Sequence, residues 1–414
     1  MLTISEADPY NYGTFAIGAT AQHTFTITNT GGFQATGIVE TGLAAPFIYF
    51  GGVYPGTGGT CANTLNAGAT CTIVVQYTPN ASALQSETIE FAYNNGVTAQ
   101  AVTRQVQGTG ANPALLNISD ADPYDFGTVA IGGNLTHFFT VTNNGGFTAS
   151  AMSEVGLAAP FVYVGGSYPG TGGTCGATLT PSTSCSINVA YAPAGTGLVA
   201  GILTINYNNG ASIQSSSRQV QGTGTSSALI AISEVDPYNF GNVTIGSSTT
   251  HSFTLINSGG VAATAISGGG LAAPFSYLGG TFPGTGGTCT NTLGVGNTCT
   301  VFVEFSPFAG GLAGDAIEID YNNGATPAQT VRTIQGSGIT PALLSISESD
   351  PYDFGLVANG GFRNYIFTIT NAGGSAATGM SETGLAAPFI YLGGGYPGTG
   401  GTCATVLGTG ANCT

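Results

Sequence analysis

Eight cysteines carry the clearest chemistry in this sequence. They form four pairs with nine residues between the members, and each pair follows Pro-Gly-Thr-Gly-Gly-Thr. Two cysteines do not supply the four ligands of a structural zinc site, and Cys-x2-Cys spacing is absent. We therefore expect a disulfide in each pair and an oxidising compartment, with reduced buried thiols in a cytosolic protein as the alternative. The pairs are Cys61 and Cys71, Cys175 and Cys185, Cys289 and Cys299, and Cys403 and Cys413.

Each expected disulfide ties a glycine-rich loop to the start of a core-facing strand. Closing a loop of about 11 residues in this way would contribute about 2.8 kcal/mol in the chain-entropy model. A catalytic cysteine is not expected, because the pair recurs in every copy and no base stands beside it in a recognisable motif.

The three histidines occupy one recurring position, at His23, His137 and His251, and Tyr365 takes that position in the fourth copy. Each lies on the same strand face as a phenylalanine two residues later. We expect a hydrogen-bonded packing residue there. A tyrosine cannot act as a neutral imidazole base, which argues against catalysis in the fourth copy at least.

Three of the four arginines also share one position, at Arg104, Arg218 and Arg332 in the last strand of a copy. We expect each to pair with a carboxylate near the Asp-Pro turn of its own copy. Recognition of a partner is the alternative.

Acidic turns precede the proline of each copy, and their aspartates are weak calcium candidates. Clustered carboxylates could hold Ca²⁺, but an aspartate before proline also initiates a turn by bonding its own backbone. The spacing fits no calcium loop, so we expect no cofactor apart from this calcium possibility. The aspartates are Asp8, Asp122, Asp236 and Asp350.

All of these residues recur with a period of 114 residues and no insertion. A unit of that length is the size of a domain rather than of a solenoid repeat. The expected domains are repeat 1 at 1–114, repeat 2 at 115–228, repeat 3 at 229–342 and repeat 4 at 343–414, the last with only the N-terminal part of a repeat.

The pattern within a repeat is that of β-strands. Alternation over 71–77 places Cys71, Ile73, Val75 and Tyr77 on one face. In repeat 2 the same strand places Ser186, Asn188 and Ala190 outward. Each Tyr-Asn-Asn-Gly sequence predicts a hairpin with a two-residue turn. About seven strands per repeat and no helix signal predict an all-β protein of tandem immunoglobulin-like β-sandwich repeats.

Composition excludes several classes of function. The chain has no lysine, four arginines and a formal net charge of −15, which argues against nucleic acid and anionic membranes as partners. Without lysine there is no P-loop and no Schiff-base chemistry. No apolar run is long enough to span a membrane, and no signal peptide is recognisable.

Three motifs together resemble bacterial choice-of-anchor D domains, which are relatives of the abnormal-spindle/Hydin immunoglobulin-like modules. They are Tyr/Phe-Gly-x-Val/Phe-x-Ile-Gly (Tyr12 to Gly18), Phe-Thr-x-x-Asn-x-Gly-Gly (Phe25 to Gly32) and the closing Gln-Gly-Thr/Ser-Gly, and they recur along the chain. The resemblance implies a sandwich in a secreted or surface-anchored bacterial protein, with signal and anchor outside this segment. It implies no enzymatic activity.

These observations predict a non-enzymatic, extracellular, disulfide-stapled stalk or adhesive rod. One alternative is a glycan- or protein-binding module that uses exposed tyrosines of the glycine-rich loops, at Tyr54, Tyr168 and Tyr396, with Phe282 in repeat 3. Another is an intracellular scaffold of the Hydin type, which predicts free thiols. For repeat 4 we expect completion by a continuation of the chain or by a donated strand.

Overall fold

Every regular element of the computed structural model, which describes all 414 residues, is a β-strand. The all-β prediction is confirmed, and the strands follow the alternating segments because alternation gives a strand one face to bury. Two units result, Met1–Gly224 and Thr225–Thr414. No helix in the structure is long and apolar enough to cross a membrane.

The first unit contains repeats 1 and 2, apart from the last residues of repeat 2. The strands of repeat 1 are β1 (Leu2–Ile4), β2 (Tyr10–Ala16), β3 (Ala21–Asn29), β4 (Ala35–Glu40), β5 (Phe47–Tyr49), β6 (Thr64–Leu65), β7 (Thr70–Tyr77), β8 (Leu84–Asn94) and β9 (Ala99–Ala111). Those of repeat 2 are β10 (Leu116–Ile118), β11 (Tyr124–Ala130), β12 (Leu135–Asn143), β13 (Ser150–Val155), β14 (Phe161–Tyr163), β15 (Ser184–Tyr191), β16 (Gly197–Asn208) and β17 (Ile213–Thr225).

The second unit contains repeats 3 and 4. The strands of repeat 3 are β18 (Ile230–Ile232), β19 (Tyr238–Thr244), β20 (Thr249–Asn257), β21 (Ala263–Gly268), β22 (Phe275–Tyr277), β23 (Thr292–Leu293), β24 (Thr298–Phe305), β25 (Gly311–Asn322) and β26 (Pro327–Ile339). Those of repeat 4 are β27 (Leu344–Ile346), β28 (Ile369–Asn371), β29 (Ala377–Thr378), β30 (Val406–Leu407) and β31 (Asn412–Cys413).

Each of repeats 1 to 3 consists of two sheets. In repeat 1 the strand orders are β1-β3-β7-β5 and β2-β9-β8-β4-β6, and repeats 2 and 3 follow the same plan. The first long strand of the second sheet runs parallel to the last strand of the repeat, as β2 does to β9 and β19 to β26. This pairing brings the N-terminal turn of a repeat next to its final strand.

The core of each repeat lies between its two sheets. In repeat 1, Phe25 and Ile73 of one sheet and Ile89 and Phe91 of the other are fully buried in one cluster. The inward face predicted for Cys71, Ile73, Val75 and Tyr77 is confirmed, since all four are buried. The outward face of repeat 2 differs from the prediction, because Asn188 and Ala190 are also buried.

The closing Gln-Gly-Thr-Gly motif has a packing reason. The Tyr77 ring lies against the backbone of Gly108, where a Cβ atom would stand 2.4 Å from the ring carbon Cε1. Gly222 meets Tyr191 and Gly336 meets Phe305 in the same way. The final strand can therefore cross the core aromatic ring only where it carries glycine.

The hairpins after Tyr-Asn-Asn-Gly form, but the predicted two-residue turn is wrong. Asn94 pairs with Ala99, so residues 95–98 form the connection. The Asn95 side chain explains the longer loop: its Oδ1 accepts hydrogen bonds from the backbone N–H groups of Val97 and Thr98, each at 2.9 Å. Such side-chain capping holds a wider turn than the two-residue type.

Candidate functional site

The acidic turn of repeat 1 lies between β1 and β2, where the parallel pairing places it against β9. Asp8 Oδ1 accepts a hydrogen bond from the Gln105 backbone N–H at 3.0 Å. Asp8 Oδ2 lies 3.9 Å from Nη1 of Arg104, and Arg104 Nη2 donates to the Ile4 carbonyl at 2.6 Å. The predicted pairing of this arginine with a carboxylate near the Asp-Pro turn is confirmed.

The same contact recurs in repeats 2 and 3. Arg218 Nη1 lies 3.7 Å from Asp122 Oδ2, and Arg332 Nη1 lies 4.0 Å from Asp236 Oδ2. In repeat 3 the Thr333 hydroxyl also donates to Asp236. That hydrogen bond, with smaller effects of the Thr333 N–H and of Arg332, lowers the pKa of Asp236. The contact therefore ties the start of each repeat to its last strand.

The calcium candidates thus use their carboxylates within their own repeats, except for Asp350. No group of three or more histidine, cysteine, aspartate or glutamate side chains lies close enough together to hold a metal ion. Calcium binding at these turns stays a prediction.

Each histidine is stacked on the tyrosine that follows the Asp-Pro turn. The ring centroids of Tyr10 and His23 are 4.1 Å apart, and the Tyr10 hydroxyl is hydrogen-bonded to His23 Nδ1 at 2.9 Å. His23 Nε2 faces Glu6 at 3.3 Å, and Phe25 meets the imidazole edge-on. The expected packing role is confirmed, because tyrosine, phenylalanine and a carboxylate occupy the surroundings of the imidazole.

Repeats 2 and 3 repeat this stack with His137 and His251, at centroid distances of 4.0 and 4.1 Å from their tyrosines. In repeat 4, Tyr365 takes the histidine position, 4.2 Å from Tyr352. A hydrogen bond with Glu348 is the main cause that raises the pKa of Tyr365. An aromatic ring that packs on the tyrosine beside an acid is thus preserved where the imidazole is not.

The cysteine pairs are joined as the spacing predicts. The structure contains the disulfides Cys61–Cys71, Cys175–Cys185, Cys289–Cys299 and Cys403–Cys413, with no free cysteine. In repeats 1 to 3 the glycine-rich loop before the first cysteine folds over the outer face of the neighbouring strand. At Gly170 a Cβ atom would lie 2.1 Å from the Asn188 carbonyl oxygen, and Asn188 Nδ2 donates to the Thr171 carbonyl at 2.8 Å. This cover buries Asn188, which alternation had placed in solvent.

The tyrosines of the glycine-rich loops are not exposed, contrary to the binding-module alternative. Tyr54 is half-buried and lies edge-on against Tyr49, with ring centroids 5.4 Å apart. Tyr168, Phe282 and Tyr396 are half-buried in the same way against their own partners. The loop folds back onto the core because its aromatic ring has an apolar neighbour there, so the rings offer no open platform for a glycan.

A buried asparagine is the polar residue that sequence reasoning missed. Asn143 is fully buried, and its Nδ2 donates to the carbonyls of Phe147 at 2.8 Å and Leu179 at 2.9 Å. Its Oδ1 accepts from the N–H groups of Gly145 and Leu115. Its counterparts are Asn29, Asn257 and Asn371, all fully buried. The signal was its recurrence in the Phe-Thr-x-x-Asn-x-Gly-Gly motif.

Taken together, the recurring polar residues join strands and loops of one repeat to each other. The carboxylates face arginine and backbone N–H groups, the imidazoles are stacked, and the thiols are oxidised. This arrangement can stabilise a β-sandwich.

A family model described as a HYDIN/CFA65/VesB-like Ig-like domain matches residues 117–223 and 232–337 of the chain. The two ranges cover slightly more than half of it. They fall within repeats 2 and 3. No curated protein matches the chain in sequence.

Solved structures with similar folds have low sequence identity. A protein of unknown function from Porphyromonas gingivalis W83 is 13% identical, with 54% of this chain and 99% of that chain covered and a TM-score of 0.21. Titin domains I67–I69 are 11% identical, with 83% and 100% covered and a TM-score of 0.29. The VesB protease of Vibrio cholerae is 19% identical with a TM-score of 0.22, and the match covers 26% of this chain and 31% of that protein. Scores this low carry no conclusion about what the chain does.

Proposed function

Because the chain belongs to the HYDIN/CFA65/VesB-like Ig-like domain family, we propose that it is a non-enzymatic structural and adhesive segment of a bacterial secreted or surface-anchored protein. Membership of the choice-of-anchor D group, which the motifs suggest, is part of this proposal. The segment would act as a stalk that carries or presents an interaction surface.

The recurring disulfide is the observation that carries the proposal. All four cysteine pairs are oxidised, and each joins a loop to a sheet within its own repeat. Disulfides of this kind persist outside the reducing cytosol. A disulfide that recurs in every repeat stabilises each sandwich separately, which suits a segment exposed to the medium and under mechanical load.

Thiol trapping followed by intact-mass measurement, on protein taken from its source cells, tests the location. Cysteines of complete repeats that resist alkylation in denaturant until a reductant is added support the exported, structural role. Immediate alkylation in denaturant would place the protein in a reducing compartment and favour an intracellular scaffold instead.

A binding function that depends on the loop tyrosines has no such support. Tyr54 and Tyr168 pack against the core of their own repeats. An adhesive role would therefore use other surfaces of the sandwich.

A further inference from the structure

Repeat 2 has an apolar stripe on the outer face of its second sheet. Leu198, Ala200 and Ile202 lie at successive outward positions of β16, and Val155 of β13 lies diagonally across from Ile202. The exposed fractions of Leu198, Ile202 and Val155 are 65, 51 and 51%. Single exposed apolar side chains are ordinary on a protein surface, whereas a contiguous group of them is typical of a surface that binds a partner.

The stripe is specific to repeat 2. In repeats 1 and 3 only the leucine recurs, and the other positions hold polar or small residues, namely Leu84, Ser86, Thr88 and Thr41, and Leu312, Gly314, Ala316 and Gly269. The next outward residue of β16, Thr204, takes the place of a glutamate, which is Glu90 in repeat 1 and Glu318 in repeat 3. Because repeat 2 is internal to the chain and has both of its sheets, the exposure of the stripe does not come from a missing strand.

The face around the stripe is uncharged, although the chain has a formal net charge of −15. The other outward side chains of β13, β16 and β17 carry no charge. Asp125 lies on β11 at the edge of the sheet, where its Oδ2 accepts a hydrogen bond from Gln221 at 3.0 Å. A basic partner would be attracted to the faces that carry Glu90 or Glu318, whereas a partner as acidic as this chain avoids repulsion on an uncharged face.

The face is large enough to hold two copies together. The strands β16 and β17 are 12 and 13 residues long, so with β13 beside them they form a face about 40 Å long and about 14 Å wide, or about 600 Å². Two such faces bury about 1,200 Å² in total, which is the lower limit for specific stable interfaces. We therefore expect a weak and reversible dimer.

We propose that the face formed by β13, β16 and β17 of repeat 2 binds the same face of a second copy of the chain. A two-fold axis at Ala200 brings Leu198 of each copy onto Ile202 of the other, so that both stripes are covered. The inference extends the adhesive role proposed above by naming its partner. It is tested on the purified chain, so the dimer and the proposed location can each fail without the other.

Sedimentation equilibrium of the full chain tests the dimer. We expect a monomer–dimer equilibrium between about 1 μM and about 1 mM protein. Raising NaCl from about 0.05 M to about 0.5 M should tighten the dimer, because salt screens the repulsion between two acidic copies and leaves the apolar contact in place. A chain that stays monomeric would leave the face to a different partner and overturn the second copy. Weakening by salt would mean that ion pairs hold the copies together, which would overturn the uncharged interface.

Two matched variants locate the interface. Leu198→Glu places a carboxylate in the stripe, and Leu84→Glu makes the same change at the same position of repeat 1, where the leucine is 64% exposed. We expect Leu198→Glu to weaken the dimer at least about tenfold and Leu84→Glu less than about twofold. Because the two variants have the same net charge, the difference between them measures the contribution of the stripe. Equal effects of the two variants would refute it as the interface.

Charge complementation at Ala200 tests the two-fold arrangement. Ala200→Glu and Ala200→Arg each place like charges face to face, so each variant alone should stay monomeric. An equimolar mixture of the two should associate again, to within about tenfold of the unmodified chain, because glutamate then meets arginine. A mixture that associates no better than either variant alone would overturn the proposed arrangement of the two copies.

Discussion

Arg218 and Asp122 come from the last strand and the first turn of one repeat, and their side chains meet with Nη1 3.7 Å from Oδ2. The two partners differ in burial, since the arginine side chain is 14% exposed and the aspartate 50%. Arg218 Nη2 also donates to the Ile118 carbonyl of β10. The arginine is therefore the more important member, because its removal leaves a backbone carbonyl without its donor.

Replacing Arg218→Met should lower the free energy of unfolding of repeat 2 by about 1.5–3 kcal/mol, the range for a hydrogen bond to a charged group. Asp122→Asn should cost less than about 1 kcal/mol, as for exposed ion pairs. Native-state hydrogen exchange of the β12 amides measures both, with β3 and β20 in the same molecule as references. A larger loss for Asp122→Asn would contradict the assigned order.

The buried asparagine offers a second prediction. Asn143→Ala leaves the Phe147 carbonyl and the N–H groups of Gly145 and Leu115 without a partner, so we expect a loss of at least about 3 kcal/mol in repeat 2. Asn144→Ala is the matched control, since Asn144 is exposed next to it and its loss should stay within about 0.5 kcal/mol. Urea unfolding, followed by the hydrogen exchange of the β15 amides, distinguishes the two variants. Similar losses of stability in both would show that the hydrogen bonds of Asn143 are unimportant.

Local patterns predicted the parts of the fold that depend on neighbours in sequence. Alternation identified the inward face of β7, because burial of one face requires a period of two. The spacing of Cys61 and Cys71 predicted their disulfide, because so short a loop leaves few other partners. Arg104 and Asp8 each recur once in every complete repeat, and this joint recurrence indicated that they pair.

The residues whose burial the alternation pattern did not predict are covered by segments from elsewhere in the fold. Asn188 has the outward position of its strand, yet it is buried because the glycine-rich loop of Gly170 lies over it. Tyr54 follows glycines and suggested a solvent-exposed loop, but its ring packs on Tyr49. No pattern within one strand or one loop contains the path that the loop takes across the sheet.

Alkaline pH should weaken repeat 3 through Tyr277. Its hydroxyl is buried without a hydrogen-bond partner, and burial, with Asp315 and Glu318 nearby, raises the pKa of Tyr277 to about 12. The folded pKa lies above the unfolded value of about 10. The stability of the repeat is therefore unaffected by this group below pH ~10 and falls as the pH rises towards 12.

Tyr277→Phe should remove this part of the alkaline loss at little cost at neutral pH. Tyr238, whose pKa is also raised by burial, remains in both proteins and cancels in the comparison. Unfolding midpoints of repeat 3 between neutral and alkaline pH give the test. Parallel pH profiles for the two proteins would rule out Tyr277 as the titrating group.

Removing one disulfide from an otherwise intact chain measures how much that disulfide contributes to the stability of its repeat. The double variant Cys175→Ala/Cys185→Ala frees the loop between the two residues, which stand 10 apart in sequence. The chain-entropy model gives a loss of about 2.8 kcal/mol, or about 100-fold faster exchange through global opening of repeat 2. The amides of β15 report this change, and the exchange rates of the β7 and β24 amides should not change.

Because alanine also leaves a small cavity, the unmodified protein after reduction is the second arm of the experiment, in which all three complete repeats should lose protection together. Exchange in β15 that is as slow in the variant as in the oxidised protein would mean that the loop is held by its packing over Asn188 rather than by the disulfide.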